Sequence, residues 1–152
     1  GRAEARAGRF DVGLELLAEA RRGFAEIGAA AFELEAWTRE AECLVLAGRY
    51  QEAITICVDA LARATAGDEA ARVSLERSLG YALVQARRKD EAKTHLEESA
   101  ELARTLNLDY ELALTLKALA DTGIADDPGI AIQAGQALER LGVVAVSEPP
   151  LP

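Results

Sequence analysis

The chain contains few of the residues that carry most enzyme chemistry. Its 152 residues include one histidine (His95), two cysteines (Cys43 and Cys57) and no methionine. One histidine and two cysteines are fewer than the four protein ligands of a structural zinc site, and the two cysteines lie fourteen residues apart. The glycines lack the Lys-Ser/Thr ending of a phosphate-binding loop. We therefore expect no catalytic residue, no cofactor and no metal site, and we expect that the chain is not an enzyme.

Other absences bear on location and partners. No run approaches 18 apolar residues and no signal-peptide pattern opens the chain, so we expect a cytoplasmic protein with both thiols free. The net charge of −9 repels phosphate backbones. We therefore expect neither nucleic acid nor a membrane as a partner. Because methionine is absent, we also expect the chain to be a segment of a longer protein.

Aromatic residues make up only 5% of the chain, whereas half of it is hydrophobic, mostly alanine and leucine. These apolar residues recur with the helical period, as in Leu75, Leu79 and Leu83. Six short polar or glycine-containing breaks separate the helical stretches, at residues 28–29, 48–49, 67–68, 88–90, 107–109 and 126–129. The pattern predicts an all-α domain of seven antiparallel helices over residues 1–142, followed by an extended, proline-rich tail at 143–152. Aspartates are expected to cap three of the helices, at Asp68, Asp109 and Asp127.

An internal repeat underlies these helices. The segment AGRYQEA at residues 47–53 aligns with AGRFDVG at 7–13 and with ARRKDEA at 86–92, so the copies recur about every 40 residues. In each copy we expect a turn followed by the second helix of a hairpin. Small residues are expected where the helices approach closely. They are Gly13, Ala41, Ala53, Gly80 and Ala92.

The residues that recur in the repeats match a known pattern. In the second repeat they are Trp37, Ala41, Leu44, Gly48, Tyr50, Glu52, Ala53 and Ala60, and in the third Leu79, Gly80, Leu83, Glu91, Ala92, Leu96 and Ser99. This pattern resembles the tetratricopeptide repeat. The resemblance implies an α-α superhelix of about 3.5 repeats of 39–40 residues, with a concave groove lined by the first helix of each hairpin. The period is longer than that of the family, which is about 34 residues. Thr65 and Arg104 replace the usual closing proline.

A second resemblance concerns the parent protein. Residues 17–22, 47–50 and 141–152 are similar to the carboxy-terminal repeat regions of large bacterial regulators. Those proteins join a cyclase or DNA-binding domain to a signal-transduction ATPase domain. Arginine outnumbers lysine 14 to 3, which is typical of GC-rich bacterial genomes. The resemblance implies a non-catalytic interaction or regulatory module.

Carried over residue by residue, the resemblance predicts the side chains that line the groove. They are Glu35, Thr38, Glu42 and Val45 from the second repeat, Ser74, Arg77, Tyr81 and Gln85 from the third, and Ala113, Leu116 and Ala120 from the fourth. Tyr81 and Arg77 are the best anchors, because aromatic residues and arginine dominate binding hot spots. The partner would be an extended peptide or a helix. Thr38 and Glu42 stand where grooves for acidic carboxy-terminal peptides carry basic or amide residues, so that class is not expected.

Three alternatives remain open at this point. The groove could be a solvated face without a ligand, or it could bind a small molecule. The chain could also be a structural spacer or a self-association element, because Leu14 and Leu17 of the first hairpin would lack a full neighbour. The tail is expected to bury Val144 or Val146 against the last hairpin, or else to dock as a peptide elsewhere.

Overall fold

The computed structural model describes the backbone of residues 2–152 and the side chains of residues 7–152. This part of the chain is all-helical, as predicted. Its helices are α1 (Arg2–Glu26), α2 (Ala30–Leu46), α3 (Tyr50–Arg63), α4 (Glu69–Gln85), α5 (Lys89–Thr105), α6 (Asp109–Asp121) and α7 (Pro128–Arg140). Residues 143–152, which we call the tail, follow without regular secondary structure. None of the described helices is long and apolar enough to cross a lipid bilayer.

The helices recur with a nearly fixed period. The even-numbered helices begin at residues 30, 69 and 109, and α3, α5 and α7 begin at residues 50, 89 and 128. Both series therefore recur about every 40 residues, which lies within the range of helical-repeat proteins. The chain is a helical repeat with the period that the sequence alignment predicts.

Four of the turns share one hydrogen-bond pattern. The amide nitrogen that precedes each helix donates to a carbonyl five residues earlier, at 2.8–2.9 Å: Ala29 to Phe24, Arg49 to Leu44, Arg88 to Leu83 and Leu108 to Ala103. The residue before each donor has a φ between 56° and 74°. This is a Schellman arrangement, which requires a left-handed residue just after the helix. Glycine fills that position at Gly28 and Gly48, but Arg87 and Asn107 fill it in the other two turns.

Replacing Arg87 by glycine is expected to raise the free energy of unfolding by about 0.5–1 kcal/mol, because a left-handed conformation strains a residue with a Cβ atom and glycine removes that strain at a smaller entropic cost. The neighbouring Ala86 has a φ of −80°, so Ala86→Gly should instead destabilise the chain. Urea unfolding followed by circular dichroism measures both changes. Equal losses in the two variants would contradict the assignment of strain to Arg87.

The turns also decide which aspartates cap helices. Asp127 accepts a hydrogen bond from the amide of Gly129 at 2.8 Å and caps α7 as predicted. Asp68 precedes α4, but its carboxylate accepts from the amide of Thr65 and not from the helix. Asp109 is the first residue of α6, and Leu108 holds the cap position without a side-chain hydrogen bond. The predicted side-chain caps at Asp68 and Asp109 were therefore wrong.

The first helix differs from the repeat alignment. A turn was expected near Gly8, yet α1 runs without a break from Arg2 to Glu26. A single glycine inside a helix costs only about 1 kcal/mol, and alanine, arginine and glutamate flank it. Helix-forming neighbours therefore outweigh the glycine, and the first repeat has no turn at this point.

The helices form two layers. Consecutive helices pack as antiparallel neighbours, and α4 also contacts both α2 and α6. In the described part of the chain, α3 makes no comparable contact with α1 or α5. The even-numbered helices are therefore the inner layer, and the odd-numbered helices are the outer layer. The side of the inner layer that faces away from the outer one is the groove side.

Small residues allow this close packing. Ala41, Ala53 and Ala92 are completely buried, in agreement with the prediction. Gly80 of α4 lies against Leu96 of α5, and a Cβ atom at position 80 would come within 2.5 Å of the Leu96 Cγ atom. At Gly13 the nearest atom would be the Cys43 sulfur at 4.0 Å, which is an ordinary contact. Close approach therefore requires glycine at position 80 but not at position 13.

Candidate partner-binding groove

The groove side of the inner layer contains a depression of about 410 Å³. Side chains of α2, α4 and α6 form its walls, including Glu42, Tyr81, Tyr110 and Lys117. Residues of the tail complete it, because Ala145, Val146, Ser147 and Pro149 also line the depression. The chain's own carboxy-terminal segment thus lies in the groove.

The tail crosses the three inner helices in order. On α6, Lys117 donates from Nζ to Glu148 Oε1 at 3.2 Å. On α4, Gln85 donates from Nε2 to the main-chain carbonyl of Pro150 at 3.0 Å. At the end of α2, the Pro150 ring lies beside Gly48, where a Cβ atom would be 3.3 Å from the ring Cγ. The segment therefore runs across the array from α6 to α2.

The exposure of the tail residues repeats every third position. Val143, Val146 and Pro149 are half-buried, while the residues between them are exposed. A spacing of three is the period of a polyproline II helix, whereas a β-strand alternates every two residues. Val144 is fully exposed. Of the two valines considered for burial, Val146 therefore faces the protein and Val144 does not.

The structure brings five of the eight predicted side chains of α2 and α4 to this region. Glu42, Val45, Arg77 and Tyr81 line the depression, and Gln85 contacts the tail. Glu35 is exposed outside it and forms an ion pair with Arg39 at 3.7 Å. Thr38 and Ser74 are buried and do not line the depression, and the Thr38 hydroxyl donates to the carbonyl of Leu34 at 2.9 Å.

Arg77 lies beneath the groove surface. Its guanidinium Nη1 donates to Glu111 Oε2 at 2.7 Å and to Thr115 Oγ1 at 3.3 Å. Thr115 in turn shares a hydrogen bond with Ser99, whose hydroxyl donates to the carbonyl of Val73. Only 8% of Arg77 is exposed. Its charge is therefore engaged in a polar network that joins α4, α5 and α6.

The residues assigned to the fourth repeat are shifted by one position. Ala113 and Leu116 are buried in the core, and Leu114 and Lys117 line the groove in their place, together with Tyr110 and Glu111 of the same helix. The assignment used the spacing between α2 and α4, which begin at residues 30 and 69, but α6 begins at residue 109, one position later than that spacing requires. An offset of 40 residues instead of 39 makes Lys117, and not Leu116, the residue equivalent to Arg77. A one-residue change of register turns a helix by about 100° and moves a side chain from the groove to the core.

Electrostatics and burial affect two of the groove side chains. Burial by itself would lower the pKa of Lys117, but its hydrogen bonds to Asp121 and Glu148 raise that pKa above the ordinary value. Burial raises the pKa of Tyr81 from 10.0 to about 12, and the nearby Asp121 adds to the increase. Lys117 is therefore charged and Tyr81 neutral at physiological pH.

The stability of the chain is expected to fall between pH 10 and pH 12 partly because of Tyr81. In the unfolded chain the phenol ionises near pH 10, but in the folded chain it stays neutral until about pH 12. The neutral form therefore stabilises the fold below pH 10, and this contribution, about 2–3 kcal/mol, is lost as the pH rises through 12. Urea unfolding at a series of pH values should show the loss in the native chain and a smaller one in Tyr81→Phe. Identical profiles would contradict the shift.

The remaining reactive side chains lie elsewhere. Both cysteines are free, and burial raises the pKa of the Cys57 thiol and, less strongly, that of Cys43. Protonated thiols of this kind are typical of structural cysteines. His95 of α5 contacts Glu76 of α4 through Nδ1. In the part of the chain that the structure describes, no three His, Cys, Asp or Glu side chains are grouped so that they could hold a metal ion.

Comparison with known proteins adds no family to this description. No family model, no curated protein and no solved structure matches the chain. The tetratricopeptide-like character and the bacterial parent protein stay predictions, and the groove with its tail carries the functional argument.

Proposed function

We propose that the chain is a tetratricopeptide-like interaction module that binds an extended segment of a protein partner along α2, α4 and α6. The module has no catalytic activity of its own. It belongs to a bacterial signalling or transcription-regulatory protein, as the similarity of residues 17–22, 47–50 and 141–152 implies. Helical-repeat proteins use the extended concave surface of their stacked hairpins for binding.

The tail in the groove is the observation that supports this proposal most strongly. Gln85 donates to a main-chain carbonyl, a group that every peptide segment carries whatever its sequence. Lys117 forms an ion pair with a side chain of the same segment, which adds a preference for charge. The groove thus has the width and the polar groups to hold one extended chain.

Photo-crosslinking tests the proposal. Short peptides selected from a random library against the full chain would be bound to variants that carry a photoreactive phenylalanine derivative at position 110 or 58. Tyr110 lines the groove, whereas Val58 of α3 is similarly exposed on the outer layer. We expect crosslinks at position 110 and few at position 58. Equal crosslinking at the two positions would overturn the proposal.

A surface of α1 supports a second candidate function, self-association. Val12 and Leu16 lie one turn apart on α1 and are 58% and 60% exposed. Leu14 was expected to lack a neighbour, but it is buried and packs with Leu44 and Ala53. Among the described side chains of α1, the exposed apolar face is therefore the one that carries Val12 and Leu16.

Light scattering after size-exclusion chromatography tests this second function. If the chain self-associates through this face, we expect a reversible dimer at high concentration. The double variant Val12→Glu/Leu16→Glu should stay monomeric. A chain that stays monomeric over a wide concentration range excludes self-association through this face.

A further inference from the structure

We infer that the partner segment contains proline and adopts the polyproline II conformation. Its carboxylate lies two residues before the residue whose carbonyl Gln85 binds. In the structure the tail occupies the groove in place of this partner. This inference rests on the proposed function, because it names the partner class of the same groove. Three features of the tail and its contacts lead to it.

The first feature is the conformation that the groove accepts. The inward-facing positions of the tail are Val143, Val146 and Pro149, which have the three-residue spacing of polyproline II. Prolines 149, 150 and 152 have no amide hydrogen to donate. A polyproline II segment has no internal hydrogen bonds, so its carbonyls are free to accept. Gln85 supplies a donor to such a carbonyl, while its own Nε2 is also anchored to the carbonyl of Val45 at 2.9 Å.

The second feature is the aromatic wall. Two of the chain's three tyrosines, Tyr81 and Tyr110, line the depression in which the tail lies. Proline-rich segments characteristically dock in aromatic-lined grooves, because the flat rings pack against the ridges of the preformed polyproline II helix. An α-helical partner would present neither this spacing nor free carbonyls.

The third feature is the position of positive charge. Arg39 pairs with Glu42 at 3.1 Å, and Arg77 pairs with Glu111 at 2.7 Å. Lys117 pairs with Asp121 of its own helix and, unlike the two arginines, also reaches the tail, at 3.2 Å from the carboxylate of Glu148. Glu148 lies two residues before Pro150, whose carbonyl Gln85 binds. The groove therefore recognises a carboxylate and a main-chain carbonyl at a fixed separation along the segment.

The covalent link between the tail and α7 has a consequence for affinity. A tethered segment competes at a high effective concentration. The apparent affinity for a partner is therefore the affinity of the open groove multiplied by the fraction of molecules in which the groove is open. Variants that weaken the tail's contacts should therefore bind an added segment more tightly, provided that they leave the groove unchanged.

Fluorescence anisotropy with a labelled peptide of the tail sequence, VVAVSEPPLP, tests the inference on the full chain. Glu148→Lys places two like charges together and releases the tail while leaving the groove intact. We expect this variant to bind the peptide at least about fivefold more tightly than the native chain. The matched control is Glu97→Lys, which reverses an exposed charge on the outer layer and should bind as the native chain does.

A charge exchange tests the recognition itself. Lys117→Glu should bind the native peptide weakly, but it should bind a peptide with lysine in place of Glu148 more tightly. Alanine in place of both Pro149 and Pro150 in the peptide should weaken binding to the Glu148→Lys chain. Circular dichroism on each variant confirms that the fold is retained.

The outcomes separate this inference from the proposed function. If Glu148→Lys binds the peptide no more tightly than the native chain, or if the charge-exchanged peptide shows no preference, the inference is overturned. Library peptides that still crosslink at position 110 would then leave the proposed function standing. If no library peptide crosslinks there, even in the Glu148→Lys chain, the proposed function fails and the inferred partner fails with it.

Discussion

Replacing Gly80 by alanine is expected to lower the free energy of unfolding by about 2–3 kcal/mol, although alanine is the better helix former. The added Cβ atom would lie 2.5 Å from Leu96 Cγ and 2.6 Å from Leu96 Cδ2. Leu96 is completely buried, so it has no open space into which it can move. The pair α4 and α5 must therefore separate or distort, and urea unfolding followed by circular dichroism would measure the cost.

A double-mutant cycle with Leu96→Ala identifies the cause of that loss. Leu96→Ala alone should cost about 2–5 kcal/mol because it leaves a cavity, and the Cβ atom of Gly80→Ala would enter that cavity. The double variant should therefore be more stable than the sum of the single changes predicts. Gly135→Ala is the control, since a Cβ atom on this exposed helical glycine would meet nothing within 4 Å. It should stabilise the chain, and strict additivity in the cycle would contradict the contact with Leu96.

Arg77→Ala is expected to lower the free energy of unfolding by about 3 kcal/mol. The change removes the cation that Glu111 and the fully buried Thr115 face, and it leaves a space between α4 and α6. The partial exposure of the Glu111 side chain, 25%, keeps the loss at the low end of the range for buried ion pairs. Chemical unfolding of the variant gives the value directly.

Arg39→Ala is the matched control for Arg77. Arg39 also forms ion pairs, in its case with residues one helical turn away, but its side chain is 60% exposed. Its loss should change stability by less than about 0.5 kcal/mol. A stable Arg77→Ala variant with weakened peptide binding would contradict the structural role and restore Arg77 as a partner anchor.

Much of the fold could be predicted from the sequence because helices and turns follow local rules. Glycines and short polar segments mark each of the six turns, and the apolar period identifies the buried face of each helix. The left-handed conformation of Arg87 could be expected from the alignment, which pairs Arg87 with Gly48, whereas Asn107 lies outside the aligned segments. The turn predicted at Gly8 is absent because the helix propensity of the neighbouring residues outweighs the effect of a single glycine.

The candidate site was harder to predict because it depends on contacts between distant residues. The repeat identified Tyr81 and Gln85 as groove residues, and both lie there. It could not show that Arg77 meets Glu111, which belongs to the next hairpin. Lys117 was missed because insertion of one residue between the third and fourth repeats changed the register. The path of the tail depends on single contacts with Lys117 and Gln85, for which no periodic signal exists.

The order in which the layers connect also bears on how the chain folds. In the described part of the chain, each helix contacts only helices that are consecutive to it or next but one in the sequence. Such a topology has a low contact order, and small helical proteins of this kind fold in roughly milliseconds or less. The hydrogen bond between Gln85 and Pro150 instead joins residues that are 65 positions apart. During synthesis the helices can assemble before the tail exists, so each newly made chain presents an open groove before its own tail can close it.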